Sequence, residues 1–377
     1  MHRGSLRGVM CVRWPSAFLL ASGLLCASCG PISKLPSLAS EEVEAERRKQ
    51  QVDHIRDYFA QRGRLHNVAF RIRTANQRDC KDRSAQIGLE AGTVPSLPRK
   101  FRSYSHEALS LSWTHATVLS VAETSPAAAG GIKPGDHVLT FNNEAVPGAE
   151  TADWIRRFVR DNGERPIRVL VRRNGVDESR TVTPVLACAI PIELITDSSL
   201  NAFTTGDRIV VHSSILRVAH TDAQLALVVG HELAHANLGH MDKRLANQIL
   251  GWAGGAAIDA GLVLGGVWSG GNFAQQFARA GASAFSVNFE READYVGAYY
   301  AARAGYALAG AEEIWRAFSL ESPDDIRVGR THPITPVRFV QMQKAAAEIT
   351  DKQRRNAPLV PELSALQAEV NPTGDSE

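Results

Sequence analysis

Residues 228–240, VVGHELAHANLGH, hold three histidines and one glutamate within a single short stretch. A helix turns about 100° per residue, so the directions of His231 and His235 around the helix axis differ by only about 40°. Both side chains can therefore bind one metal ion. Glu232 lies about 100° from His231, beside the metal rather than on it. It can take a proton from a zinc-activated water and pass it to a leaving amine. The spacing therefore predicts zinc-dependent hydrolysis.

A catalytic zinc of this kind needs a third protein ligand. His240 is close in sequence, but it lies half a turn from the face of His231 and follows Gly239, which is placed to end the helix. The metzincin pattern requires Gly and His where this chain has Leu238 and Met241. We therefore predict that His240 is a polar residue at the helix end and not a ligand.

A second acidic stretch, SVNFEREADYVGAYYAARAGY, supplies the missing ligand. Its apolar spacing predicts a helix over residues 288–304 that ends at Gly305. Glu290 and Asp294 are four residues apart and share a face, whereas Glu292 points elsewhere. Glu290 is predicted to be the anionic third ligand, and Asp294 to accept the ring N–H of a ligand histidine. The alternative is a solvated acidic stripe.

The elements around the first motif have their own sequence signals. Thr221 and Gln224 predict a capping box at the start of the motif helix. Residues 192–217 predict a hairpin with the turn TTGD, followed by a short helix. The Gly-rich stretch 249–271 predicts a close-packed helical segment lying over the catalytic domain. A membrane hairpin is the alternative, and Asp259 argues against it.

The N-terminus has the features of a secretory signal over residues 1–28: three arginines, no acidic residue and a short apolar run. The sequence LLCASC resembles a bacterial lipoprotein signal, with Cys29 as the lipidated first residue. That resemblance implies a periplasmic protein tethered to a membrane surface. An ordinary cleaved signal peptide is the alternative. Further on, the sequence predicts a helix over 40–62 that ends at Gly63, and a strand over 66–74.

Residues 115–185 differ in character from the rest of the chain. SPAAAGGIKPGDHVLTFNN resembles the PDZ domain in its bacterial protease-associated form, which implies that an extended peptide adds to a sheet edge. The loop for a terminal carboxylate is expected near residues 105–111, which lack the usual Gly-Leu-Gly-Phe-like sequence. Cys80 and Cys188 bracket this module, and in an oxidising compartment they are predicted to form a disulfide, with two separate buried thiols as the alternative.

Three motifs in fixed order, HELAHANLGH, EREADYVGAYYAARAGY and THPITPVRF, resemble the zinc metallopeptidases of the HtpX, CAAX prenyl protease and Oma1 type, family M48. The resemblance covers residues 187–345 and indicates the exported branch with a PDZ domain. It implies one Zn²⁺ bound by His231, His235 and Glu290, with Glu232 as the base.

The third motif supplies two further candidate site residues, His332 and Arg338. Either cation can stabilise the carbonyl oxygen of a peptide undergoing hydrolysis. His332 can instead cap the open position of the zinc, or simply be hydrogen-bonded in a proline-shaped turn. Arg338 is the candidate oxyanion or substrate contact.

These features predict an α+β fold, in which a mainly helical zincin domain of the gluzincin type with a small sheet follows a PDZ domain. The predicted boundaries are 1–28 signal peptide, 29–65 linker and helix, 66–105 lead-in segment, 106–186 PDZ domain, 187–350 zinc metallopeptidase domain and 351–377 flexible tail.

The predicted activity is that of a zinc endopeptidase acting on envelope or misfolded proteins, with the PDZ domain presenting or gating substrate. An envelope chaperone or adaptor with little peptidase activity is the alternative, and a membrane pore rests only on the Gly-rich stretch. The formal net charge of +2 and the absence of a basic arm argue against a nucleic-acid partner.

Overall fold

The computed structural model describes residue 33 and residues 35–264, 267–283, 286–321 and 336–362. The helices are α1 Ser40–Ala75, α2 Arg99–Leu109, α3 Pro126–Ala129, α4 Thr151–Asn162, α5 Ser213–Val218, α6 Asp222–Asn237, α7 His240–Leu264, α8 Asn272–Ser283, α9 Ser286–Arg303, α10 Glu313–Glu321 and α11 Pro336–Arg354. The strands are β1 Arg83–Gln86, β2 Leu89–Gly92, β3 Ala116–Val121, β4 His137–Phe141, β5 Glu144–Ala145, β6 Ile167–Arg173, β7 Val176–Val182, β8 Val185–Cys188, β9 Ile192–Ile195, β10 Ala202–Thr204 and β11 Ile209–His212. The α+β class is confirmed.

Helix α1 differs from the sequence prediction, because it continues through Gly63 and replaces the strand expected over 66–74. Alternating apolar residues suggested a strand, but the buried positions Leu65, Val68, Ala69 and Ile72 follow helical spacing. Gly63 does not end the helix. An added Cβ there would lie 3.5 Å from the Ser120 Cβ, which is an ordinary van der Waals contact, so α1 faces β3 at this position without requiring glycine.

A six-stranded sheet forms the PDZ-type module, with strand order β2-β3-β4-β6-β7 and β5 paired to β4. Ser125 caps α3 by accepting from the Ala128 N–H, and Pro126 occupies its first turn. The edge strand β2 lies upstream of residue 106, where we placed the start of the module. Helix α2 is inserted between β2 and β3, and the PDZ boundaries remain a prediction.

The inserted segment belongs to a different core from the strands that flank it. Val94, Leu97 and Phe101 pack into one cluster with Leu225 and Leu233 of α6. The apolar faces of the sheet strands form a second, separate cluster. The edge strand β2 is therefore fixed to the peptidase core by the segment that directly follows it.

The expected carboxylate-binding loop at 105–111 is not a loop, because its first part completes α2. Ser105 is buried, and the segment leaves the helix at Ser110 with φ 53°. The turn that precedes β2 lies instead at Gly88, which has φ 68°. A side chain at Gly88 would collide with Ser125, so only glycine fits this turn.

Asp136 joins the turn before β4 to β6. Its carboxylate accepts from the Lys133 N–H at 2.9 Å and from Arg173 Nε and Nη2 at 2.6 and 2.7 Å. Burial works to raise the pKa of Asp136, but the hydrogen bonds from Arg173 and Lys133 outweigh it and hold the pKa below its ordinary value.

We expect Asp136→Asn to lower the free energy of unfolding by about 1–3 kcal/mol at pH 7, because the charged hydrogen bonds are lost. The folded-state pKa is depressed, so this stability is present above the unfolded pKa of about 3.9 and is lost as pH falls below it. Urea unfolding of both proteins at pH 7 and pH 3 measures the difference. A difference of equal size at both pH values would contradict the ion pair as its cause.

Cys80 and Cys188 form a disulfide, which confirms the predicted pairing. Cys188 ends β8, and β8 pairs antiparallel with β1, which begins shortly after Cys80. The bond joins the entry of the PDZ-type module to the strand that leaves it, across a sequence separation of 108 residues.

Replacing both cysteines by alanine should reduce the free energy of unfolding by about 2–5 kcal/mol, because the unfolded chain gains loop entropy. Urea unfolding with and without reductant checks this expectation. Reductant should destabilise the wild type to the level of the variant and leave the variant unchanged. Equal stability of the oxidised wild type and the variant would exclude a stabilising role for the bond.

The peptidase portion contains a small sheet of order β10-β11-β9, with β10 and β11 antiparallel and β11 and β9 parallel. The TTGD turn joins β10 to β11 and a short helix follows, as predicted, but β9 lies within the predicted hairpin range and is a separate parallel strand. Helix α6 packs against β10 and β11 and against α9, and α9 in turn packs against α11. The two helices that bear the candidate ligands are thus packed side by side, and α6 also contacts the sheet.

The Gly-rich stretch 249–271 covers most of α7 and the segment that leads to α8, and these two helices pack against each other. Its position over the catalytic domain stays a prediction. A side chain at Gly251 or Gly255 would collide with the carbonyl groups of Phe277 and Phe273. The glycines therefore serve this close contact. Leu264 is 91% exposed and Trp268 is 83% exposed. Among the described residues, no helix is both long and apolar enough to cross a membrane.

The C-terminal tail begins later than the predicted residue 351. Helix α11 extends to Arg354, and the Leu359 carbonyl accepts from Arg303 Nε at 2.7 Å. The predicted signal peptide, Cys29 and the last 15 residues, 363–377, lie outside the described residues.

Candidate metal centre

Helix α6 positions both histidines of the first motif. Thr221 and Gln224 form the predicted capping box, and the helix ends before Gly239, whose φ is 64°. The helix is buried from Leu225 to His235. Its histidines therefore project into the interior of the protein, where an unpaired imidazole would be costly.

Helix α9 crosses α6 at two glycines. A Cβ on Gly230 would lie 2.6 Å from the Gly297 carbonyl oxygen, and a Cβ on Gly297 would lie 2.7 Å from the His231 nitrogen. Neither position accepts a side chain at this separation. The contact brings Glu290, one end of the acidic pair on α9, opposite the histidines of α6.

His231, His235 and Glu290 converge on one point, all three buried. The two Nε2 atoms lie 3.0 Å apart, and Glu290 Oε2 and Oε1 lie 3.4 Å from His231 Nε2 and 3.3 Å from His235 Nε2. Tetrahedral zinc with ligand bonds of ~2.0–2.1 Å requires ligand atoms ~3.3 Å apart. The donor set and its spacing therefore fit zinc.

Asp294 lies behind His231. Its carboxylate is 2.9 Å from His231 Nδ1 and accepts two hydrogen bonds from Arg338, at 2.6 and 2.8 Å. Burial opposes ionisation of Asp294, but Arg338 and His231 hold its pKa below the ordinary value. Burial also disfavours charge on His231, yet the hydrogen bonds to Asp294 and Glu290 raise its pKa to about 9. That proton must leave before Nε2 can bind a metal.

His235 has a different environment. Burial and the neighbouring His231 lower the pKa of His235 to about 4, so its imidazole is neutral at physiological pH. Its Nδ1 lies 2.9 Å from Nδ1 of His240. His240 is not one of the three converging groups, and its exclusion as a ligand stays a prediction. It is buried in contact with a candidate ligand and is not a polar helix end.

Arg338 is buried behind the candidate ligands. Besides Asp294, its guanidinium lies 3.1 Å from Glu290 Oε2. It also lies over the ring of Trp315, which meets His231 edge-on with centroids 5.6 Å apart. No residue spacing pointed to Trp315 as part of the site. His332 lies outside the described residues.

The two segments that carry these features match known families. Residues 188–346 match peptidase family M48, and residues 77–183 match the PDZ domain. The resemblance inferred from the motifs is confirmed at this level. The chain carries a peptidase family M48 domain preceded by a PDZ domain.

Individual relatives cover shorter stretches. The chain is 30% identical over 127 residues to the Beta-barrel assembly-enhancing protease of Escherichia coli K12, which covers 30% of this chain and 25% of that protein. It is 41% identical over 64 residues to the Probable protease eep of Enterococcus faecalis. That match covers 17% of this chain and 14% of that protein. The chain therefore spans a quarter or less of these curated relatives.

Among solved structures, the HtrA-type protease AlgW with decapeptide is similar over 28% of this chain and 30% of its own, with 26% identity and a TM-score of 0.23. The HtrA3 PDZ domain bound to a phage-derived ligand is similar over 28% of this chain and 88% of its own, with 21% identity and a TM-score of 0.22.

Proposed function

We propose that this protein is a zinc-dependent endopeptidase that cleaves envelope or misfolded proteins. The observation that carries the proposal is the convergence of His231, His235 and Glu290 at tetrahedral ligand spacing. The buried Glu232 is adjacent in the same helix. Two histidines and one glutamate leave a fourth position open, which is the arrangement of catalytic rather than structural zinc.

A zinc ion held by these three residues would supply Lewis-acid activation of a water molecule and of the peptide carbonyl. Glu232 acts as the general base: its carboxylate takes a proton from the attacking water and delivers it to the leaving amine. Glu232 is only 2% exposed, so bulk water does not compete for this proton. Glu232 is suited to the role because it follows His231 directly and is not one of the three candidate ligands.

Asp294 and Arg338 hold the ligands in place in this proposal. Asp294 accepts the Nδ1–H of His231 and so directs Nε2 towards the metal. Arg338 binds Asp294 with two hydrogen bonds and approaches Glu290, and these carboxylates raise the pKa of the guanidinium although burial opposes it. Its engagement with both carboxylates favours a positioning role over the oxyanion or substrate contact that we predicted.

A substrate peptide would add as an extended strand to β10. Among the described residues, this strand is one of the two outer strands of the small sheet, and it packs against α6, the helix that carries the candidate histidine ligands. Main-chain hydrogen bonds to a sheet edge do not depend on the side chains of the peptide, so many sequences can bind. This property suits a protease for misfolded proteins.

The PDZ domain would present substrate in a fixed position. Its edge strand β2 has α4 beside it, the usual arrangement for a peptide-binding groove. The chain runs from β2 directly into the segment that is buried in the peptidase core. A peptide bound at β2 would therefore be held at a constant distance from the metal centre.

Export to the periplasm is part of the same proposal, with lipidation at Cys29 as the anchor. The disulfide supports an oxidising compartment. The decisive experiment measures casein cleavage and zinc content together, in the wild type and in Glu232→Gln. An envelope adaptor would bind unfolded protein without cleaving it in either form.

A further inference from the structure

The two candidate histidine ligands are held by unlike partners. His231 Nδ1 faces the carboxylate of Asp294, whereas His235 Nδ1 faces another imidazole, that of His240, at 2.9 Å. A ligand histidine is oriented by whatever accepts its second ring N–H. The orientation of His235 therefore depends on a residue outside the ligand set.

His240 is itself fixed on three sides. It is 2% exposed, its ring stacks on Phe289 with centroids 4.6 Å apart and planes 20° apart, and its Nε2 lies 3.1 Å from Glu292 Oε2. Gly239, with φ 64°, turns the chain between α6 and α7 and places His240 back against α6. Phe289 and Glu292 both come from α9, so this contact joins the two ligand helices a second time.

One arrangement of protons satisfies every contact in this chain of groups. His235 presents the Nε2 lone pair to the metal, so its Nδ1 carries the proton and donates to His240 Nδ1. His240 must then carry its own proton on Nε2, which donates to Glu292. The Glu292 carboxylate thus favours the His240 tautomer with the proton on Nε2. That tautomer favours the His235 tautomer with the proton on Nδ1, which metal binding through Nε2 requires.

We infer that His240, held by Glu292, is a positioning residue that fixes the ring orientation and tautomer of the zinc ligand His235. The inference rests on the proposed zinc site and extends it to two residues outside the ligand set. Removing His240 leaves three ligands in place, so zinc still binds, but with lower affinity because His235 is free to rotate.

The test measures zinc affinity on the full chain by competition with a chromophoric chelator. We expect His240→Ala to weaken binding about 10- to 100-fold, the range for lost outer-shell partners of a ligand histidine. Glu292→Ala should weaken it less, because its carboxylate is partly exposed and water can replace it. His240→Gln should recover part of the loss, since one amide can accept from His235 and donate to Glu292.

A matched control is His106→Ala. His106 is hydrogen-bonded to the Leu111 carbonyl, and it is far in sequence from the candidate ligands. The variant should leave affinity unchanged. Visible absorption of the Co²⁺-loaded proteins reports ligand geometry directly, and His240→Ala should shift it while His106→Ala does not. If His240→Ala does not fold, as judged by circular dichroism, His240→Gln and Glu292→Ala carry the same comparison.

Wild-type affinity and an unchanged Co²⁺ spectrum in His240→Ala would overturn the inference and leave the proposed enzyme intact. Complete loss of zinc at saturating metal would also overturn it, because His240 would then be a ligand. Failure of the wild type to bind zinc would refute the proposed function, and that result is visible before any variant is compared.

Discussion

Glu232→Gln is expected to reduce casein hydrolysis by about 10²- to 10⁴-fold, the usual contribution of a positioned general base. Glutamine has nearly the same shape as glutamate and fits the same buried position, but its amide cannot take a proton from water. The three converging ligand atoms belong to His231, His235 and Glu290, so the variant should still hold one zinc per chain. Steady-state cleavage of fluorescent casein, with zinc measured on the same samples, gives both quantities.

The matched control is Glu313→Gln, which removes a carboxylate from the first turn of α10. It should cleave casein at the wild-type rate. Cleavage by Glu232→Gln at a comparable rate would assign the base to another residue. A wild type that holds zinc and binds casein without cleaving it would favour the envelope adaptor instead.

The helix that carries His231 and His235 could be predicted because its signals are local. A capping box, a run of buried apolar residues and a terminal glycine all lie within 20 residues of one another, and each acts through the backbone of its own helix. The placement of Glu290 and Asp294 on one face followed from helical spacing in the same way. The structure brings both of them to the histidines of α6.

The contacts between helices were harder to infer. The crossing of α6 and α9 depends on Gly230 and Gly297, which are far apart in sequence and show no signal as a pair. The exclusion of His240 as a ligand rested on its angle around an ideal helix, and it stays a prediction. The backbone turn at Gly239 ends that ideal geometry and brings His240 into contact with His235. Helical periodicity alone does not predict such a turn.

Helix α1 shows how local patterns can conflict. Val68, Phe70 and Ile72 alternate as in a strand, and Gly63 looks like a helix end. Packing decides otherwise, because Leu65, Val68 and Ile72 all reach the peptidase core from one helical face. Tertiary burial outweighs the helix penalty of about 1 kcal/mol for one glycine.

Glu290→Ala should abolish zinc binding, because it removes the only anionic group among the three converging ligands. Two neutral histidines are left to hold a dication in a buried site, where an unbalanced charge is strongly unfavourable. Asp294 keeps its two hydrogen bonds from Arg338 in this variant, so the helices should remain packed. Zinc content after dialysis should fall from about one per chain to background, with circular dichroism unchanged and casein cleavage lost.

His240→Ala serves as the paired comparison for Glu290→Ala, since both remove a buried polar group that interacts with His235. At saturating zinc it should keep the metal that Glu290→Ala loses. Glu290→Gln should fall between the alanine variant and the wild type, because its amide oxygen can still coordinate without supplying charge. The prediction would be contradicted if Glu290→Ala retained zinc or if His240→Ala lost it at saturating zinc. His240 would then replace Glu290 in the ligand set. The third ligand would then be the histidine that follows the helix and not the glutamate that faces it.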